Sequence, residues 1–351
     1  MATPDQYINI GDLPLALGGH LPQAQLAYVT LGQLNAAGDN AVLILHGYTS
    51  SHRFVLDDDP DNAEGSWGPL IGPGKAIDTD RYFVVSSNAL GSSYGSTGPG
   101  DINPATGTRW GPDFPLLTFE DQVNAQAQLL RTFGVSKLHA VIGLSMGGFG
   151  AFQWGVQHPT MLRKLVPVLT APWGALNQAA SHKGVTAVLQ ANAAWQHGWY
   201  YEQQEQMQHT LAQIRTNTLA RYGVPAWLED QLHDAKQVEQ ALSDMAWHWA
   251  KRFDANALLT LRAAINRFDV RHMLASIEAD LMYVLCRTDS LFPPSIAPET
   301  MDHCSDRRSD LYLDSCRVAK YVEIDSRYGH FASSLDWQQW SGELQTFLQA
   351  R

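Results

Sequence analysis

Ser145 lies at the centre of the pentapeptide Gly-Leu-Ser-Met-Gly at residues 143–147, a pattern that can present a nucleophile. The apolar run at 138–142 predicts a buried strand before it, and the segment from Gly148 predicts a helix after it. Such a tight turn needs glycine two residues to either side, because larger side chains would collide with the strand and the helix. The first amides of the helix would face developing negative charge. We therefore predict that Ser145 is a catalytic nucleophile.

A serine hydroxyl is a weak nucleophile at neutral pH, so a histidine must accept its proton and a carboxylate must orient that histidine. In an arrangement of this kind the acid and then the base follow the serine, each in a loop after a late strand. Asp289 follows a predicted strand at 281–285, and His330 follows another at 321–324. We predict the triad Ser145, Asp289 and His330.

Two other aspartates compete with Asp289 for the role of the acid. Asp280 precedes its strand, which places it at the wrong end of a parallel sheet, and Asp325 is close to His330 in sequence. Among the thirteen histidines, only His330 comes late, after a strand, and behind a glycine that lets the loop turn sharply. Asp289 and His330 are therefore the favoured pair.

The loop after an early predicted strand, at 41–45, can supply an oxyanion-stabilising amide. Gly47 permits close approach of the backbone there, so we predict the amides of Tyr48 and Met146 as the two donors of an oxyanion hole. For His46, which begins this loop, we favour a packed histidine with no catalytic part.

The elements that must position these residues follow an α/β pattern. Short, nearly continuous apolar runs alternate with helix-like segments, as expected for a parallel sheet with helices on both faces. The predicted strands are residues 41–45, 82–86, 138–142, 281–285 and 321–324. Residues 171–273 have helical spacing and few strand-like runs, and they carry six of the eleven tryptophans. An aromatic core is the favoured interpretation of these tryptophans, and an aromatic wall over a substrate pocket is the alternative.

We predict two domains: a core formed by residues 1–170 and 275–351, and a helical lid formed by 171–274. Gly184, Gly198 and residues 223–225 are expected to divide the lid into several short helices. The acidic run at 57–61 lacks the ligand spacing of a calcium loop, so we interpret it as a solvated loop.

The composition is that of a folded globular protein. The chain has 351 residues, 45% of them hydrophobic, and a formal net charge of −11, which disfavours nucleic acid and anionic membrane surfaces as partners. No apolar run is long enough for a membrane span, and the first ten residues do not resemble a signal peptide, so a cytoplasmic location is expected. The three cysteines form no metal-binding pattern, and a Cys304–Cys316 bridge is a minor alternative. No metal is predicted.

Several segments together resemble the homoserine O-acetyltransferase family of α/β-hydrolase-fold proteins. The resemblance covers most of the chain, and its long Asn-Pro-Ala-Thr-Gly loop is more specific than the pentapeptide. The matching segments are residues 67–75, 80–85, 88–91, 95–99, 102–107, 113–115, 143–148, 252–256, 289–294 and 328–330. The resemblance implies the α/β-hydrolase fold, the same triad, an acyl-enzyme on Ser145 and a helical lid over a deep pocket. Members of this family are often dimeric through the lid, so a homodimer is possible.

Two departures from the family bear on the substrate. Members that acetylate homoserine carry an acidic residue directly after the catalytic histidine, where this chain has Phe331. They also carry an arginine in the first lid helices, whereas residues 177–195 contain only Lys183 as a cation. A zwitterionic amino acid would then be buried without partners for its charges, at a cost of several kcal/mol.

We place Thr49, Trp173 and Phe331 in the substrate pocket.

Three functions follow from these observations. The favoured one is hydrolysis of small, acetyl-like esters through an acyl-Ser145 intermediate, because Phe331 and the tryptophan-rich lid suggest an apolar alcohol. The second is acyl-CoA-dependent transfer to an alcohol, with acetyl-CoA as co-substrate. The third is a non-catalytic binding protein on the same fold. No cofactor is expected, because the triad and the oxyanion hole supply the nucleophile, the base and the charge stabilisation, and the expected partner is a small-molecule ester or alcohol.

Overall fold

Strands lie on both sides of a long helical connection in the computed structural model, which describes residues 3–57, 65–174, 178–305 and 318–350. Within these residues eight strands form the main sheet, in the order β1-β2-β4-β3-β5-β6-β7-β8. They are β1 (Gln6–Asn9), β2 (Gln25–Leu31), β3 (Ala41–Leu45), β4 (Phe83–Ser87), β5 (Leu138–Leu144), β6 (Leu162–Val168), β7 (Asp280–Cys286) and β8 (Ala319–Ile324). Two small two-stranded sheets join Leu13–Pro14 to His20–Leu21 and Ile71–Gly72 to Ile77–Asp78.

The main sheet is antiparallel at one end and parallel elsewhere. β1 pairs with β2, and β2 with β4, in antiparallel fashion, whereas β3 to β8 pair in parallel with one another. β3 is buried along its whole length, as expected for a strand that is covered on both faces. The parallel strands therefore end at one common edge, which confirms the predicted α/β-hydrolase fold.

Three strands of the sheet were not predicted. β1 and β2 form the antiparallel end, and β6 carries Arg163, Lys164 and Pro167, which interrupt the apolar run. The side chain of Lys164 is nevertheless buried, because its ammonium lies over the ring of Phe347, 4.9 Å from the centroid, and 3.9 Å from an Asp280 oxygen. A charged side chain with a tertiary partner can occupy a strand that sequence patterning alone would reject.

Helices flank the sheet and fill the connection between β6 and β7. Those outside this connection are α1 (Phe119–Phe133), α2 (Met146–Gln157), α8 (Ala297–Ser305), α9 (Ala332–Leu335) and α10 (Gln338–Gln349). Those within it are α3 (Gln178–Gln190), α4 (Gln204–Tyr222), α5 (Val224–Leu232), α6 (Ala235–Ala250) and α7 (Ala255–Arg267). We call α3 to α7 the helical insertion. The proposed division of the chain into domains at 170 and 275 stays a prediction.

Glycine positions explain only part of how the helical insertion is divided. Gly223 adopts φ 93°, a left-handed conformation that ends α4 two residues before Pro225, which lies in the first turn of α5. Gly184, in contrast, lies within α3, so the prediction that it ends a helix is wrong. A single glycine costs a helix about 1 kcal/mol, which neighbouring residues can offset.

Tryptophans of the helical insertion are mostly packed rather than exposed. Trp195 and Trp249 are buried, whereas Trp199 is 44% exposed. No helix in the described part of the chain is both long enough and apolar enough to cross a bilayer. Cys304 is buried, but Cys316 and residues 58–61 of the acidic run lie outside the described residues, so the possible bridge stays a prediction.

Candidate active site

Three side chains that are distant in sequence meet at the carboxyl edge of the sheet. The Oγ of Ser145 lies 2.8 Å from Nε2 of His330, and Nδ1 of His330 lies 2.8 Å from Oδ2 of Asp289. All three residues are buried. The Asp289 carboxylate accepts a hydrogen bond from Nδ1–H, so Nε2 is left as the acceptor for the serine hydroxyl. The structure thus joins the predicted nucleophile, base and acid in one hydrogen-bonded chain.

The backbone at Ser145 is strained in the way that its turn requires. Ser145 has φ 53° and ψ −114°, and it directly precedes α2. A Cβ atom at Gly143 would lie 2.1 Å from the carbonyl oxygen of Gly147, and one at Gly147 would lie 2.1 Å from that of Leu45. Both positions therefore exclude a side chain, because the turn presses against its own strand and against β3. This is the physical reason for the glycines of the pentapeptide.

Local hydrogen bonds orient Asp289 after the end of β7. Its Oδ1 accepts from the amide of Leu291 at 2.8 Å and from that of Phe292 at 3.3 Å, which leaves Oδ2 for His330. The two competing aspartates lie elsewhere. Asp280 accepts from the amide of Val318 at the start of β7, and Asp325 pairs with Arg287 at the surface. Neither has a described contact with His330.

Aromatic rings enclose the imidazole of His330. The ring of Tyr222, at the end of α4, lies 4.8 Å from it, and the ring of Phe292 lies 5.6 Å from it. Phe331 packs with a separate apolar cluster of the helical insertion, which includes Leu219, Val224, Leu228 and Ala246. Apart from Ser145 and Asp289, the described side-chain contacts of His330 are with aromatic rings.

The loop after β3 is fixed by the ring of His46. Nε2 of His46 accepts a hydrogen bond from the amide of Ala89 at 2.9 Å, so Nδ1 carries the proton and donates to the Gly47 carbonyl at 2.8 Å. That carbonyl shares a planar peptide unit with the N–H of Tyr48, and the two groups point in opposite directions. His46 therefore sets the direction of the predicted oxyanion donor, a role that the sequence interpretation did not give it.

Burial keeps the loop in one charge state. Desolvation lowers the pKa of His46 to about 4, so the ring is neutral near pH 7 and can accept from Ala89. Desolvation also raises the pKa of Tyr48 to about 12, although Arg262 opposes the shift. The Tyr48 hydroxyl donates to the carbonyl of Leu258 at 2.7 Å and accepts from Nε of Arg262 at 3.1 Å. Met146 is buried at the first turn of α2, and the role of its amide as an oxyanion donor stays a prediction.

Thr49 brings a buried cation next to this loop. Its Oγ1 accepts from Nη1 of Arg215 at 2.6 Å, and its carbonyl accepts from Nε1 of Trp249 at 3.0 Å. Arg215 lies in α4 and is 1% exposed, with its guanidinium 5.3 Å from the Trp249 ring centroid. Residues 177–195, to which the sequence interpretation was confined, contain no arginine, and Arg215 lies beyond that range. Leu211, Arg215 and Leu219 share one buried helix face at four-residue spacing, which is the signal that could have revealed it.

Trp173 and Phe331 make packing contacts in the structure. Trp173 forms a backbone bridge with Asp269 and lies under the guanidinium of Arg271, 4.9 Å from the ring centroid. Neither side chain has a described polar contact with the triad, so their place in a substrate pocket stays a prediction. Among the described residues no group of three or more His, Cys, Asp or Glu side chains is arranged to hold a metal ion.

The sheet topology and the site define the class of this protein: it is an acyl-transfer enzyme of the α/β-hydrolase class. A family model described as alpha/beta hydrolase fold matches residues 40–333. The chain belongs more narrowly to the homoserine O-acetyltransferase-like family of α/β-hydrolases.

Both transferases and a hydrolase are similar to this chain. It is 36% identical to a homoserine O-acetyltransferase from Moorella thermoacetica, with 96% of this chain and 93% of that relative aligned. It is 34% identical to a homoserine O-succinyltransferase from Azoarcus sp., with 96% and 93% aligned. The crystal structure of esterase E22 matches with a TM-score of 0.86 at 26% identity, covering 99% of this chain and 100% of that one.

Proposed function

We propose that this chain is an O-acyltransferase that carries an acyl group from a thioester, such as acetyl-CoA, to the hydroxyl of a small acceptor by way of acyl-Ser145. The hydrogen-bonded chain from Ser145 through His330 to Asp289 carries the acyl-transfer part of this proposal. The names of the transferase relatives support the choice of an alcohol acceptor.

The first half-reaction forms the acyl-enzyme. Nε2 of His330 takes the proton from the Ser145 hydroxyl while Oγ bonds to the thioester carbonyl carbon. The carbonyl oxygen becomes an oxyanion, and the amides of Tyr48 and Met146 stabilise it. The carbon–sulfur bond then breaks, and the leaving thiolate takes the proton from His330.

The second half-reaction reverses these roles with the acceptor. Its hydroxyl gives a proton to Nε2 of His330, and its oxygen bonds to the acyl carbon. When the new oxyanion collapses, the bond to Ser145 Oγ breaks and Oγ recovers a proton from His330. A water molecule in place of the acceptor would give hydrolysis by the same steps.

Charges around the site favour an acceptor that carries a carboxylate. The buried guanidinium of Arg215 places positive charge beside Thr49, one residue from the predicted oxyanion donor Tyr48. No carboxylate other than Asp289 is described in contact with His330, and Asp289 is occupied by His330 and by the Leu291 amide. An ammonium group near His330 would thus lose its hydration without gaining a partner.

Ester hydrolysis is the second candidate, and Phe331 favours it. This ring follows His330 directly and packs among apolar side chains, which suits an apolar alcohol fragment rather than an amino acid. A non-catalytic binding protein is the least supported alternative, because such a protein has no need to keep the three side chains aligned at 2.8 Å.

A partition experiment tests the proposal. The purified chain is incubated with acetyl-CoA and either homoserine or 4-hydroxybutanoate, which lacks only the amino group, and free thiol and acylated product are measured. We expect acceptor-dependent thiol release that is faster with 4-hydroxybutanoate and absent in Ser145→Ala. Rapid hydrolysis of p-nitrophenyl acetate without any acceptor-dependent thiol release would instead identify an ester hydrolase.

A further inference from the structure

The loop that carries His330 is held on the core side by a short polar network. Oγ1 of Thr288 donates to the carbonyl of Ser326 at 2.7 Å and accepts from the amide of Gly329 at 3.2 Å. The hydroxyl of Ser326 also accepts from the amide of Tyr328 at 3.1 Å. These bonds fix the start of the loop to the end of β7, but they leave the outer side of Tyr328 to another element.

The helical insertion contacts that outer side. The hydroxyl of Tyr328 donates to Oδ2 of Asp230, in α5, at 2.8 Å. Gly223, where α4 meets α5, packs so closely that a Cβ there would lie 2.5 Å from the carbonyl oxygen of Tyr328. With the Tyr222 ring against His330, three residues of the insertion touch the loop within two residues of the base.

Two side chains of the loop, Arg327 and Tyr328, contact Asp230, and the two interactions differ in strength. Nη2 of Arg327 lies 3.0 Å from Oδ1 of Asp230, but the Arg327 side chain is 58% exposed, so water and salt weaken this pair. The Tyr328 hydroxyl is a partly buried donor to the same carboxylate, and a hydrogen bond to an ionised acceptor is stronger than one between neutral groups. The same bond raises the pKa of Tyr328, which keeps the phenol protonated and able to donate. The tyrosine bond is therefore the one that can fix the loop.

We propose that Asp230 is a positioning residue for catalysis: through the Tyr328 hydroxyl it holds the loop that aims His330 at Ser145. When the helical insertion packs on the core, the same contact then aligns His330 with Ser145. The inference rests on the proposed acyl-transfer function, since it assigns His330 the role of the base. It also predicts that the insertion supports chemistry on any substrate, whichever acceptor it admits.

The test compares Asp230→Ala, Tyr328→Phe and the double variant, using p-nitrophenyl acetate turnover and the rate at which a fluorophosphonate labels Ser145. We expect each single variant to lower kcat and the labelling rate roughly 10- to 100-fold with KM within about two-fold, because a small misplacement of the base slows proton transfer. The double variant should be little worse than either single one. Asp230→Asn keeps an acceptor for the phenol and should restore most of the loss.

Glu229→Gln is the matched control, because Glu229 is 63% exposed and 3.9 Å from Arg327, with no contact to Tyr328. It should leave kcat within about two-fold of wild type. Circular dichroism and thermal melts establish that the variants fold. Wild-type kcat in folded Asp230→Ala or Tyr328→Phe, or additive losses in the double variant, would overturn the proposal. If the fluorophosphonate labels Ser145 of the wild type but no acyl transfer is detected, only the proposed function is contradicted. If the wild type is not labelled, both the proposed function and the role of Asp230 are overturned.

Discussion

In the proposed mechanism Ser145 and His330 act on one proton, and this determines how their variants should behave. We expect Ser145→Ala and His330→Ala each to lower kcat for p-nitrophenyl acetate by roughly 10⁴- to 10⁶-fold with a modest effect on KM. Their double variant should be little slower than either alone, because neither residue works without the other. Steady-state kinetics on the four proteins measure this. Near-normal activity of His330→Ala would show that another group is the base.

Some residues of the site could be predicted from the sequence and others could not. Ser145, Asp289 and His330 each follow a recognisable strand, so their common location comes from the parallel topology. Arg215 and Asp230 follow no strand, and their roles depend on how α4 and α5 pack against the core. A side chain that acts across such a tertiary contact leaves little mark on local sequence patterning, although a cation on the apolar face of a helix is one such mark.

At the scale of elements, the turn between β5 and α2 leaves no space for a side chain at Gly147. We expect Gly147→Ala to lower the free energy of unfolding by about 3 kcal/mol or more, because the new Cβ would meet the backbone of β3. Gly184→Ala is the matched control: it lies in α3, where an added Cβ meets no atom within 4 Å, and it should gain about 0.5–1 kcal/mol. Urea unfolding measures both changes, and equal effects would contradict the steric explanation.

The elements themselves were predicted unevenly. β3 is buried throughout and β5 is buried except at His139, and both are recognisable as largely apolar runs, whereas the charged residues in β6 concealed that strand. The helical character of the insertion was evident from its composition, but the continuity of α3 through Gly184 was not. Buried strands can be predicted from hydrophobicity alone. The ends of helices are harder to predict, because they depend on capping contacts that neighbouring segments supply.

At the scale of the whole molecule, His46 links stability to pH. Its pKa is 6.5 when unfolded and about 4 in the folded chain, so below pH 6.5 the unfolded state binds a proton that the native state does not. The free energy of unfolding is therefore unaffected by this group above pH 6.5. It decreases as the pH falls towards 4, by about 3 kcal/mol in total. Chemical unfolding at pH 7 and pH 4.5 should show a smaller loss in His46→Gln than in wild type. The exposed His20 offers a control, since His20→Gln should keep the wild-type difference; an unchanged difference in His46→Gln would contradict this assignment.

The left-handed backbone at Ser145 lowers the stability of the fold, although the proposed chemistry needs a serine there. Holding a residue with a side chain at φ 53° costs about 1–3 kcal/mol that a glycine would avoid. Stability alone would therefore favour glycine at this position, whereas the proposed role as nucleophile requires serine. In a related chain that no longer catalyses the reaction, a glycine at this position would relieve the strain. A glycine there would therefore indicate a relative that has lost its activity.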